Sequence, residues 1–284
     1  MPIRDLLIAL MVPCLLGFGF VIAKPAMNDF PPILLNGLRW SFSGIIMFYF
    51  FPFPKKYIKK MLLISFIGCT VQYSFSFYGL HIIDGASATL FVQAEIPFGI
   101  LIAFLLLKEK PPIKNIIGLI IAFIGIYILS GNPNLVGKIH GAFFILIGAF
   151  LWSLAQVIAK PLSEKIGGLT LTAYLGVFAG PQAIFASFII EGNTFEYIMN
   201  ASFQSWMILF YLAMVMNVIG YSCWYYVLSR HPVNKVMPVL LLFPISGLLT
   251  AIFILKETPN SYAYIGGSII IFGVSIILIN KSKI

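Results

Sequence analysis

ATLFVQAEIPFGILIAFLLLKEK, residues Ala88 to Lys110, decides how the rest of the chain is read. As a helix, its run of about twenty apolar residues spans the roughly 30 Å hydrocarbon core of a bilayer. Near its middle stands Glu95, whereas every other acid lies at or beyond the end of an apolar run. An ionised carboxylate at that depth costs several kcal/mol, so Glu95 is expected to face protein or a polar cavity at mid-membrane rather than lipid. Pro97, two residues on, removes a backbone donor and bends the helix, which a membrane tolerates where neighbours or water satisfy the freed carbonyl. The bland alternative is a packing kink with a neutral Glu95 bonded to a neighbouring helix.

The composition extends this reading to the whole chain. Of 284 residues 60% are hydrophobic and 10% charged, and the mean hydropathy is +1.00, as in polytopic membrane proteins. Apolar runs predict an all-α membrane protein of ten spans, near 6–23, 33–51, 61–80, 88–107, 113–130, 139–159, 170–190, 206–228, 236–255 and 262–279. Cys14, Cys69 and Cys223 fall inside spans without ligand spacing, so neither a disulfide framework nor a metal site is expected. The net charge of +9 is placed asymmetrically: most of the 18 Lys and Arg fall on the side holding both termini. Lys24, Lys138 and Lys256 lie opposite, and Arg39 is inside the second span. Cations gather on the cytoplasmic side, so both termini are expected there, and no nucleic-acid partner is expected.

Span 1 has the basic start and apolar core of a leader, but it ends in VIAKP, Val21 to Pro25, which recurs as Val157 to Pro161 at the end of span 6. The copying continues at an offset of 148. YSFSFYGL (Tyr73 to Leu80) lies over YSCWYYVL (Tyr221 to Leu228), and ILIAFLLLKEK over LLTAIFILKET, matching Glu109 to Glu257. Gly118 and Gly125 lie over Gly266 and Gly273. Residues 1–131 and 132–284 thus read as two five-span repeats, the second inverted because five is odd. Inverted repeats are a transporter pattern: two pseudo-symmetric halves open a central site alternately to each side.

Other residues inside the spans offer candidates. The glycines seven apart suit close helix packing, within a monomer or across a homodimer. Tyr73, Phe77, Tyr78, Tyr221, Trp224, Tyr225 and Tyr226 form either an interfacial belt or a cavity wall able to hold an organic substrate. Pro238 and Pro244 bend span 9 as Pro97 bends span 4, and paired broken helices are where a substrate site and gates are expected. Arg39 either snorkels to lipid phosphate, pairs with an acid, or holds a substrate carboxylate. Gln72, Gln93, Gln156, Gln182 and Asn217 are interhelical clasps or ligands. Gln93 and Glu95 sit about 200° apart around a helix, so one cavity takes one of them, and Glu95 is favoured. Lys24 and Lys160 end their spans and are expected to anchor them at the interface.

The chain resembles the drug/metabolite transporter superfamily, and within it the ten-span EamA-type family, through DFPPILLNGLRW, spans 4 and 5, and VMPVLLLFPISGLLTAIFILKETPNSYAYIGGSIIIFGVSIIL. PPILLNGLR and VQAEIPF are most similar to exporters of cysteine and O-acetylserine, where the position of Glu95 more often carries Gln. The resemblance implies a helical basket with a central cavity near Tyr73, Phe77, Gln93, Glu95, Trp152, Gln156, Tyr221 and Tyr225. It also implies secondary transport of a small, amino-acid-like metabolite across a bacterial-type inner membrane, with export favoured. No cofactor is implied; coupling to protons or substrate exchange is the expectation. Uptake of a nucleoside-like metabolite such as S-adenosylmethionine is the second transport reading. An enzyme is disfavoured: His81, His140 and His231 are scattered, there is no HExxH, no P-loop and one buried acid. A membrane scaffold or receptor without flux is the remaining class.

Overall fold

The computed structural model describes residues 2–108, 113–192 and 194–278. Its helices follow the apolar runs: α1 Ile3–Ala26, α2 Pro32–Phe48, α3 Lys55–Ile82, α4 Gly85–Leu106, α5 Ile113–Ser130, α6 Ile139–Ile166, α7 Gly168–Ile190, α8 Phe203–Arg230, α9 Leu242–Phe253 and α10 Ser261–Leu278, with a short connecting helix Thr194–Asn200. α1, α3, α4, α6, α7 and α8 are long and apolar enough to cross a membrane, and shorter apolar helices accompany them. Their outer faces expose Phe42, Ile45, Phe185, Phe188 and Ile189, side chains that a bilayer solvates and water does not.

Helix pairs match across the two sequence copies. α2 packs on α7 and α5 on α10, while α1 packs on α9 as α6 packs on α4. Small residues set both like-on-like contacts. A Cβ on Gly44 would stand 2.5 Å from the Gly176 carbonyl carbon, and one on Gly273 would stand 2.6 Å from the Ala122 nitrogen. The Gly118/Gly125 and Gly266/Gly273 pairs are therefore an intramolecular seam. The Gly44–Gly176 seam has no counterpart in the sequence reading.

Irregular backbone also recurs in pairs. α3 widens into a π-helical stretch over Phe66–Val71 just before Tyr73, and α8 does so over Tyr211–Tyr221. α4 and α9 both end before a lysine in the left-handed region, Lys108 (φ 56°) and Lys256 (φ 57°). α4 breaks at Gln93 and Ala94: Pro97 has no N–H for the Gln93 carbonyl, which instead accepts from the Ile96 N–H at 3.1 Å. Ahead of α9 come Val233–Val236 and a 3₁₀ stretch, Met237–Leu241, with Pro238 at its start. Pro244 departs from expectation. It sits in the first turn of α9, where a missing N–H has no helical partner to lose, so it marks the 3₁₀-to-α switch rather than bending a continuous helix.

The acids at helix ends have a shared task, satisfying first-turn N–H groups that a helix leaves open. Glu191 accepts from Ile33 and Leu34 N–H at 2.7 and 2.9 Å, tying the start of α2 to the end of α7. Asp29 accepts from the Ser202 hydroxyl at 2.5 Å, the Ser205 hydroxyl at 2.7 Å and the Ser202 N–H at 2.9 Å, at the start of α8. These bonds, the Ser202 hydroxyl's first, hold its carboxyl below the ordinary carboxylate range.

Candidate functional site

The breaks in α4 and before α9, together with the π-helical turns of α3 and α8, surround a cavity of about 20 Å³. Gln72, Tyr73, Glu95, Trp152, Tyr221 and Phe243 are on its wall. That volume admits about one water molecule. The conformation is contracted, and a metabolite needs the helices to part.

Glu95 is the feature that stands apart. Its side chain is buried, at 5% exposure, on the cavity wall, and among the described residues it makes neither a hydrogen bond nor an ion pair. Other carboxylates among the described residues are engaged: Asp5 with His231 at 2.7 Å, Asp84 with Ser87 N–H at 2.6 Å, Glu164 with Lys160 at 2.6 Å, Glu257 with Lys24 at 3.3 Å. The side-chain bond from Glu95 to a neighbouring helix, part of the alternative expectation, is not formed among the described residues. What its neighbour does hold is the Glu95 backbone: the Ser153 hydroxyl donates to its carbonyl at 2.6 Å, fixing the broken turn against α6.

Of the residues singled out in the sequence, Tyr73, Glu95, Trp152 and Tyr221 meet at the cavity. Tyr73 and Tyr221 share a hydrogen bond between their hydroxyls, joining equivalent positions of the two copies. Phe77 lies behind Tyr73, ring centroids 5.3 Å apart. Tyr225 backs Tyr221 at 6.2 Å, and Gln156 accepts from the Trp224 indole N–H at 2.8 Å. These three support the wall from behind. Gln93 is wholly buried, off the cavity, with neither amide atom partnered among the described residues, in keeping with its angle from Glu95. Gln182 clasps Thr70 at 2.9 Å, and Asn217 donates to the Arg39 carbonyl at 3.3 Å. Gln72, by contrast, bonds Ser76 of its own helix at 3.0 Å and faces the cavity. Phe243 and Leu240 escaped the sequence reading because the backbone break that turns them inward has no apolar signature.

Three cations bear on the expectations made for them. Arg39 neither snorkels nor meets an acid among the described residues; it is fully buried in the middle of α2, over the Tyr73 ring at 3.7 Å. Lys24 and Lys160 turn inward rather than to lipid. Lys24 donates to the Ile83 carbonyl at 2.7 Å and Lys160 to the Leu228 carbonyl at 2.9 Å, because helix C-termini leave carbonyls open and carry partial negative charge. Glu109 lies outside the described residues.

Comparison with known proteins agrees with the geometry. The EamA-like transporter family matches residues 4–131 and again residues 139–279. A protein of Escherichia coli (strain K12), named a probable amino-acid metabolite efflux pump, is 26% identical over 96% of this chain and 94% of its own. Its namesake in Salmonella typhimurium is 26% identical over the same shares, and an uncharacterized transporter of Archaeoglobus fulgidus is 25% identical over 90% of this chain and 91% of its own. One solved crystal structure, 15% identical, superposes with a TM-score of 0.69 over 99% of both chains, which shows the fold. With both copies matched, the chain belongs to the EamA-like transporter family, and it is a multi-pass membrane transporter rather than an enzyme.

Proposed function

We propose that this protein exports a small, amino-acid-like metabolite across a bacterial-type inner membrane as a secondary active transporter. Ten crossings form two inverted five-helix repeats, residues 1–131 and 132–284, with both termini in the cytoplasm. The two family matches, the like-on-like packing of α2 on α7 and α5 on α10, and the paired left-handed lysines support that architecture. The efflux names of the two enterobacterial relatives support the direction. Substrate reaches Tyr73, Glu95, Trp152 and Tyr221 from one side when the halves part, and leaves from the other when they exchange conformations.

One observation carries the reading: Glu95, buried on the cavity wall with no hydrogen-bond or ion-pair partner among the described residues. A carboxylate kept there is a binding group for a substrate ammonium or for a proton, and the two compete for it. The experiment is counterflow of labelled amino acids and their acetyl derivatives in proteoliposomes, at several pH values, with wild type and Glu95→Gln. Loss of both flux and pH dependence in Glu95→Gln is the expected result. Unchanged flux with the same pH profile returns Glu95 to a structural role. The Trp152 and Tyr221 rings on the wall favour, as a second reading, a nucleoside-like substrate such as S-adenosylmethionine; counterflow of that compound alone would select it.

A further inference from the structure

Arg39 is a second buried ionisable group without an oppositely charged partner among the described residues. Its Nε donates to Asn36 Oδ1 at 3.2 Å and its Nη1 to the Met216 sulfur at 3.3 Å. Nη2 has no partner among the described residues. The guanidinium lies over three rings, 3.7 Å from the Tyr73 centroid, 4.9 Å from Phe77 and 5.5 Å from Trp40. Aromatic faces attract a cation but do not neutralise it, and a desolvated ion without an opposite charge weighs against the folded state. Tyr73 stands between this charge and the acid: it carries Arg39 on its ring and lines the same cavity as Glu95. Yet the two charged groups are not paired with each other.

We propose that Arg39 is the carboxylate-binding pole of the substrate site, covered in this conformation by Tyr73, and that the ligands are zwitterions. This rests on the reading of Glu95 as the ammonium pole. The ammonium goes to Glu95, and the carboxylate to the open Nη2 edge once Tyr73 releases its hydrogen bond to Tyr221 and swings aside. A ligand carrying both charges satisfies two groups that the resting protein leaves open. A ligand carrying one leaves the other buried and unpaired, so selectivity for zwitterions follows.

The test uses the purified full chain in detergent, with glycine, L-serine, L-cysteine, L-methionine and L-phenylalanine, each as zwitterion, methyl ester and N-acetyl derivative. Ligand-induced thermal stabilisation is read for wild type, Arg39→Met and Glu95→Gln. Wild type should be stabilised best by one of the zwitterions. Arg39→Met should weaken that zwitterion about tenfold or more, to the level of its methyl ester, and leave the ester unaffected. Ligand-free Arg39→Met should be at least as thermostable as wild type, because it removes an uncompensated charge. Arg39→Met that melts lower without ligand, or weakens zwitterion and ester alike, would make Arg39 a packing residue and overturn the proposal. Failure of every zwitterion to stabilise wild type overturns it as well. Glu95→Gln reports separately: if its ester binding is unchanged the ammonium site is wrong, whatever Arg39 does.

Discussion

Two ends of the molecule close on the same five residues, VIAKP, and use them differently. At the first, Lys24 joins the Ile83 carbonyl to Glu257, and Glu257 also accepts from the Gly85 and Ala86 N–H groups at 2.9 and 3.0 Å. One carboxylate thus ties a residue of the second copy to α1 and to the first turn of α4. At the other end, Lys160 meets the Leu228 carbonyl and Glu164, a residue of its own helix with its side chain 51% exposed. The lysine's duty toward a helix C-terminus is common to both; the acid that crosses between the copies is described at one. If the halves part at the Lys24 end, as the proposed alternation requires, charge-assisted bonds to a carboxylate that is only 17% exposed have to break, and that end then acts as a latch.

The sharpest break of the comparison is in the acids. Glu257→Ala removes the cap of α4 and the partner of Lys24, and should lower stability by about 2 to 3 kcal/mol. Glu164→Ala removes an exposed i,i+4 pair worth about 0.2 to 0.5 kcal/mol. Thermal unfolding of the two purified variants decides, and equal losses would show that the Lys24 end is no latch. Exchange of the Gly85 and Ala86 amides should speed up in Glu257→Ala alone.

The lysines test what the ends share. Lys24→Met and Lys160→Met each leave a C-terminal carbonyl, Ile83 or Leu228, without its cation, and each should cost about 1 to 2 kcal/mol. Matching losses support one duty performed twice. A neutral Lys160→Met would mean that its carbonyl contact contributes nothing to stability.

What the sequence made legible here was whatever leaves a trace in residue type and period. Apolar runs placed the helices, and the copied VIAKP and KE words paired Lys24 with Lys160. A lone mid-run acid with a nearby proline pointed to Glu95, which lies on the wall of the cavity. What it hid depends on backbone geometry. The π-helical turns before Tyr73 and through Tyr221 need no special residue, so nothing in Phe66–Val71 announces one. For Arg39 the sequence admits snorkelling, pairing with an acid and holding a substrate carboxylate, because its distance from the start of its span is legible there, whereas its direction toward Tyr73 is not. Lys24 and Lys160 looked like lipid anchors for the same reason: a lysine at a span end reaches lipid or a neighbour's carbonyls with equal ease, and packing chooses.

The smallest effect is the finest probe of the repeat. Lys108 and Lys256, 148 residues apart, both hold left-handed backbone, a conformation in which a side chain's Cβ crowds the following carbonyl and glycine does not. Glycine also gains freedom in the unfolded chain, which offsets part of that relief. Lys108→Gly and Lys256→Gly should therefore each raise stability by about 0.5 kcal/mol, and the double variant by the sum, since the two positions end different helices. If one gains and the other loses, its lysine is held by something beyond the turn, and the copies differ in function where they agree in backbone. The natural place for such a difference is Lys256, whose next residue is the latch acid Glu257. A loosened turn there would move the carboxylate away from Gly85 and Ala86, so a loss at Lys256 alone would locate the latch in the turn as much as in the charge.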